Sequence, residues 1–167
     1  MKKFLLFSII IFLTPFCFSK NISVQIIQNN PGQDKIWVTT ELFEQYVIDC
    51  FFDNGQIISN SPIWISSSDS KNRGALRAAL RENAIGGMDY LVRIEIFFKT
   101  GKNFAPDFPL LENIDKVSWK IYSVSTGLEE ANGSGIPEKI TDDNNNEVGI
   151  SSFAHFITKK INSKIEG

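Results

Sequence analysis

Apolar and polar positions alternate along this chain with two different periods, and the switches between them outline the elements. Residues 21–29, NISVQIIQN, place Ile22, Val24 and Ile26 at every second position and run into Asn-Asn-Pro-Gly, which predicts a first strand closed by a turn. In TTELFEQYVIDCFFDNG (39–55) the spacing becomes three and four. Leu42, Phe43, Tyr46, Val47, Cys50 and Phe51 then share one side of a helix, with Thr39 or Thr40 as its cap and Asp53-Asn54-Gly55 as its stop. GQIISNSP (55–62) reads as a short β segment. The Ser-rich run 66–70 offers N-caps for a second helix, NRGALRAALRENAIGG (72–87), which Gly86 and Gly87 suit to a left-handed ending.

MDYLVRIEIFFK (88–99) alternates again, with Tyr90, Val92, Ile94, Ile96 and Phe98 on one face and Leu91, Arg93, Glu95 and Phe97 on the other. That is a strand with one dry face and one partly wet one. TGKNFAPDFPLLEN (100–113) has two prolines and no period, and reads as a loop. KVSWKIYSV (116–124) sets Val117, Trp119 and Ile121 against Lys120 and Tyr122, then turns at Ser125-Thr126-Gly127 into LEEANGSG, a β-hairpin. Beyond the polar run TDDNNNE, residues 147–164 form a last helix whose apolar stripe is Ile150, Phe153, Ile157 and Ile161. The order β-α-β-α-β-β-β-α predicts one α/β domain, a mixed four- to five-stranded sheet packed by about three helices.

The N-terminus follows a different rule. Met1-Lys2-Lys3 precedes FLLFSIIIFL, a basic region and an apolar core that Pro15 ends, as in a secretory signal peptide. The run is about half of the ~20 apolar residues that a membrane-spanning helix needs. Cys17 raises the question of a lipid anchor, but Phe16 stands where lipoprotein processing requires a small residue. Ser19 and Cys17 instead occupy the positions one and three before a cut after Ser19. The expected organisation is a signal peptide over 1–19 and a single envelope domain over 20–167, exported to the periplasm or beyond. A lipid anchor on Cys17 at the outer membrane is the disfavoured alternative. Loss of Lys2 and Lys3 takes 17 basic residues to 15 against 19 acidic, and the net charge from -2 to -4. Such a charge excludes a nucleic-acid binder. The two cysteines become one, so a packed core, without a disulfide, holds the fold.

Candidate chemistry is sparse. Cys50 falls in the middle of a helical stripe and reads as a small buried hydrophobe, not a nucleophile. His155, the one histidine, lies roughly 150° around the last helix from its stripe and is expected in solvent. With one His and one remaining Cys, no zinc site is expected. The run Asp142 to Glu147 fails as a calcium loop, because its sixth and twelfth positions are Glu147 and Phe153; it reads as a cap for the helix that follows. Gly133-Ser134-Gly135 ends the hairpin and does not lead into a helix, so it is not a phosphate loop. No catalytic residue, cofactor or metal site is expected. Arg73, Arg77 and Arg81 recur every four residues along one side of the second helix, either as a solvated face or as a candidate surface for an anionic partner.

Two phrases carry a resemblance. Gly87-Met88-Asp89-Tyr90-Leu91 opens a strand, and Val124-Ser125-Thr126-Gly127 closes one. With the element order, they make the chain similar to the small exported α/β domains of the LpoB, CsgG and TolB N-terminal-domain type of bacterial envelope accessory proteins. The resemblance implies a fold, an envelope compartment and a non-catalytic accessory or binding role through protein-protein contacts with an unidentified partner. Alternatives are a subunit of an outer-membrane assembly or secretion complex, or a hydrolytic enzyme using Asp or Glu residues or Cys50 with His155.

Overall fold

In the computed structural model, which describes residues 19–29, 35–66, 68–100, 105 and 107–166, the first strand is buried along seven consecutive residues, Ile22 to Gln28. Residues 1–18 of the expected signal peptide, Cys17 among them, lie outside the described residues. Burial of this strand on both faces follows from its place. β1 (Asn21–Asn29) lies between β2 (Ile57–Ile65) and β3 (Tyr90–Phe98), parallel to both. β4 (Ile114–Ser123) and β5 (Glu129–Gly135) extend the sheet antiparallel, in the order β2-β1-β3-β4-β5. Parallel neighbours need a crossover, here α1 (Val38–Asp53) from β1 to β2 and α2 (Asp69–Ile85) from β2 to β3. The chain moves one way along the sheet and then back, so two right-handed crossovers place their helices on opposite faces. α3 (Glu147–Ile165) closes the chain beside α1. The single α/β domain with its mixed sheet and three helices is the one the pattern predicts.

The two faces are covered unequally. On the first, Val24, Ile26, Val92, Ile94, Val117 and Ile121 of the sheet pack against Phe43, Val47 and Phe51 of α1 and Ile150, Phe153, Ile157 and Ile161 of α3. Phe43 and Phe153 meet edge to face at 6.0 Å between ring centroids. On the second, α2 contributes a smaller cluster in which Ala79 meets Leu91, Tyr122 and Val124, with Leu76, Leu80 and Met88 half-buried around it.

Where the chain departs from its predicted elements, a tertiary contact is the reason. α1 starts at Val38, with Trp37 in the cap position, and Thr39 and Thr40 are buried inside its first turn instead of capping it. Gln28 of β1 causes this: its side-chain oxygen accepts from the Trp37 backbone N–H (3.0 Å) and the Thr40 hydroxyl (2.8 Å), while its amide donates to the Lys35 carbonyl (3.0 Å). A buried amide with all these partners fixes where the helix begins. β2 runs past the expected 55–62 to Ile65, straight through Pro62. Pro62 is tolerated because β2 is an edge strand and the register with β1 shifts there, Gln25 facing Ser61 but Ile27 facing Trp64.

The second helix starts at Asp69, a few residues before the expected 72, and its C-terminus forms as predicted. Gly87 takes φ +71°, while Met88 N–H bonds the Asn83 carbonyl at 3.0 Å and Gly87 N–H the Ala84 carbonyl at 3.4 Å. Part of the predicted loop 100–113 is a single 3-10 turn, Leu111–Asn113, feeding directly into β4. Asn146 caps α3, its side chain accepting from Val148 and Gly149 N–H.

Two measurements follow. A methyl group at Gly149 would collide with the Asn144 backbone carbonyl, held in the cap of α3, so Gly149→Ala should destabilise by about 1–3 kcal/mol in urea unfolding; an unchanged midpoint would mean that the capping loop simply moves aside. Glu44 on α1 is half-buried, and burial raises its carboxyl pKa against an opposing hydrogen bond with Asn60. A raised native pKa means the folded state holds this proton more tightly than the unfolded one, so stability falls as pH climbs from the ordinary glutamate range through the raised value. Glu44→Gln should therefore be more stable than the parent at neutral pH, the gain disappearing once both side chains are neutral in acid. A gain of equal size at both ends of the pH range would refute this cause.

Candidate functional site

The unequal covering opens a cleft. α2 is held at its C-terminal half by Ala79 and Leu80 over Leu91, Tyr122 and Val124. Its N-terminal half lies over sheet positions that are mostly polar, Arg93 and Glu95 of β3 and Ser118 and Lys120 of β4 beside Ile27 of β1, and there the two layers do not close. Asn72, Arg73 and Leu76 of α2 face these residues across a cleft of about 260 Å³. The near end of α2 is pinned to β2: Trp64 donates its indole N–H to the Asn72 side-chain oxygen (3.1 Å), and Asn72 donates to Ser66 (2.9 Å).

The cleft carries three cationic side chains, Arg73, Arg93 and Lys120, against one carboxylate, Glu95. Arg93 and Lys120 stand directly opposite one another in the β3–β4 register. Lys120 bridges to Glu129 on β5 at 2.7 Å, which raises its pKa, with Arg93 acting in the opposite direction. Glu95 accepts from Asn29 at 2.6 Å. Arg93 donates its Nε–H to Gln25 at 2.8 Å, and its Nη2 is buried without an acceptor among the described residues. Burial lowers the pKa of this guanidinium, while Tyr122 and Glu95 oppose the shift; a group titrating from so high a starting value stays charged.

Of the residues singled out in the sequence, Arg73, Arg77 and Arg81 are all exposed on α2, and Arg73 alone of the three reaches the cleft lining. Arg93 and Lys120 were visible only as charges within alternating strands. Cys50 is buried, as the stripe implies, and burial raises its thiol pKa. The side chains that approach it are Asn54 on its own helix and Thr158 and Lys159 of α3, and His155 is not a hydrogen-bond partner among the described residues. A protonated thiol in this setting is a weak nucleophile. His155 departs from expectation: it is half-buried instead of exposed, because α3 packs on α1 as well as on the sheet and its buried stripe widens to take in Ala154, Thr158 and Asn162. Among the described residues, no group of three or more His, Cys, Asp or Glu side chains is placed to hold a metal. Gly133 lies opposite Trp119, whose ring fills the space where a side chain would stand.

Several solved structures are similar to this chain at low identity. A PelC dodecamer subunit from Paraburkholderia phytofirmans is similar over 87% of this chain and 86% of its own, at 16% identity and a TM-score of 0.42. The LpoB C-terminal domain from Salmonella enterica is similar over 78% and 93%, at 13% identity and a TM-score of 0.36. TolB from Acinetobacter baumannii is similar over 88% of this chain and 29% of its own, at 10% identity and a TM-score of 0.38. LpoB and TolB are both of the type that the two sequence phrases resemble. No curated protein sequence matches the chain. A family model described as "Uncharacterised protein" matches residues 21–166, and the chain belongs to that family.

Proposed function

We propose that this family member is an exported, non-catalytic binding component of the bacterial cell envelope that meets a protein partner through the face carrying α2. The observation behind the reading is the incomplete cover of that face: a cleft with three cations, continued along the helix by the exposed Arg77 and Arg81. On a chain of net charge -2, a basic strip of this kind selects for acidic surfaces. The N-terminal sequence supports export, through Lys2, Lys3, the apolar run that follows, and Ser19 with Cys17 at the peptidase positions. No helix among the described residues is long and apolar enough to cross a membrane. The buried, protonated Cys50 favours binding over nucleophilic chemistry.

Crosslinking in living cells tests the partner surface. A crosslinker placed on α2 should join the protein to a partner, and reversing Arg73, Arg77 and Arg81 together to Glu should lower the yield about tenfold or more; an undiminished yield would remove the α2 face from consideration. Export is tested separately by the intact mass of the protein recovered from cells. A chain starting at Lys20 is expected, and one starting at an acylated Cys17 would place it on a membrane instead.

A further inference from the structure

We propose that the cleft beneath α2 receives a carboxylate of the partner protein, an Asp or Glu side chain or a chain terminus, held between Arg93 and Lys120 with Arg73 at the rim. The proposal rests on the reading of the α2 face as the contact surface and adds the chemistry of recognition. Its starting point is the register: Arg93 and Lys120 are cross-strand partners on one face of the sheet. Like charges directly opposite one another destabilise a strand pair, so this arrangement is one that a bound anion relieves. Lys120 is already compensated by Glu129 at 2.7 Å. Arg93 is not. The ion pairs within 4 Å among the described residues are Lys35–Asp107 and Lys120–Glu129, and Arg93 belongs to neither.

The hydrogen bonding agrees. Arg93 Nε–H goes to the neutral amide oxygen of Gln25, Tyr122 is a further side-chain partner, and Nη2 has no acceptor among the described residues. The carboxylate in the lining, Glu95, accepts from Asn29. A half-buried guanidinium with a buried, unpartnered Nη2 is a costly feature, and its planar fork matches a carboxylate through two parallel N–H···O bonds. Size narrows the class further. About 260 Å³ lies below the roughly 300–1,000 Å³ of clefts that enclose a whole drug-sized ligand, and suits one acidic side chain inserted from a larger surface.

The test is an NMR titration of the full chain, following the Arg93 Nε–H resonance with sodium succinate and inorganic phosphate as probes and sodium chloride at matched ionic strength as control. A saturable shift with succinate, weaker or absent with phosphate, is expected. Arg93→Lys keeps the charge but loses the fork and should weaken succinate binding about tenfold or more. Arg73→Gln, at an exposed rim position where folding is not at stake, should weaken it several-fold. No saturable shift, the same shift in chloride, preference for phosphate, or unchanged affinity in both variants would each overturn the proposal. Crosslinks that survive charge reversal on α2 while succinate still binds would also overturn it, because the carboxylate would then not belong to a partner at that face. Crosslinks lost on reversal with no succinate binding would remove the cleft assignment and leave the α2 face standing.

Discussion

Burial of β1 on both faces is the constraint from which the rest of the architecture follows. A central strand flanked by two parallel neighbours has no solvent side, so each face of the sheet needs a covering layer, and the crossovers that join parallel strands supply them. The direction of travel, out to β2 and back to β3, divides α1 and α2 between the faces. The last helix then joins α1, leaving two helices on one face and one on the other.

That imbalance explains why the two faces differ in chemistry. Beneath α1 and α3 the sheet is mainly apolar, and the buried Gln28 there has its side-chain oxygen and amide both engaged in setting the start of α1. Beneath α2 the apolar cluster is confined to Leu91, Tyr122 and Val124, with Ile27 apart from it in the cleft lining. The buried Ser23 stands beside Leu91, and further along Arg93 is drawn down to the buried Gln25. Apart from Ile27, the groups there are polar and give the helix little apolar surface to close upon, since drying a charged side chain without a partner costs more than the apolar contacts would return. The cleft lies where apolar packing stops, and its charge comes from the residues that stopped it.

Much of the fold was legible in the chain. Period-two segments became strands and the three- and four-residue spacings became helices. The Gly86-Gly87 ending and the Asn146 cap are local devices that act over a few residues. The failures share a cause. Thr39 and Thr40 look like caps, but a glutamine eleven and twelve residues upstream claims that turn. Pro62 looks like the end of a strand, yet an edge position with a bulge accommodates it. His155 looks exposed on a helical wheel that assumes one buried side, and α3 has neighbours on two.

The candidate site was half legible. Arg73, Arg77 and Arg81 could be found by counting along one helix, because their spacing is set by the helical repeat alone. What the sequence determined by itself was each element's period and, where a local device such as Gly86-Gly87 or Asn146 acts, its end. Only the tertiary structure decided that Arg93 faces Lys120 and that α2 stops short of covering them. Strand register is a pairing between segments distant in the chain, and a one-residue slip would turn every side chain of a strand to the other face. No local pattern records which residue will stand opposite which. The meeting of charges that makes the cleft belongs to the folded sheet.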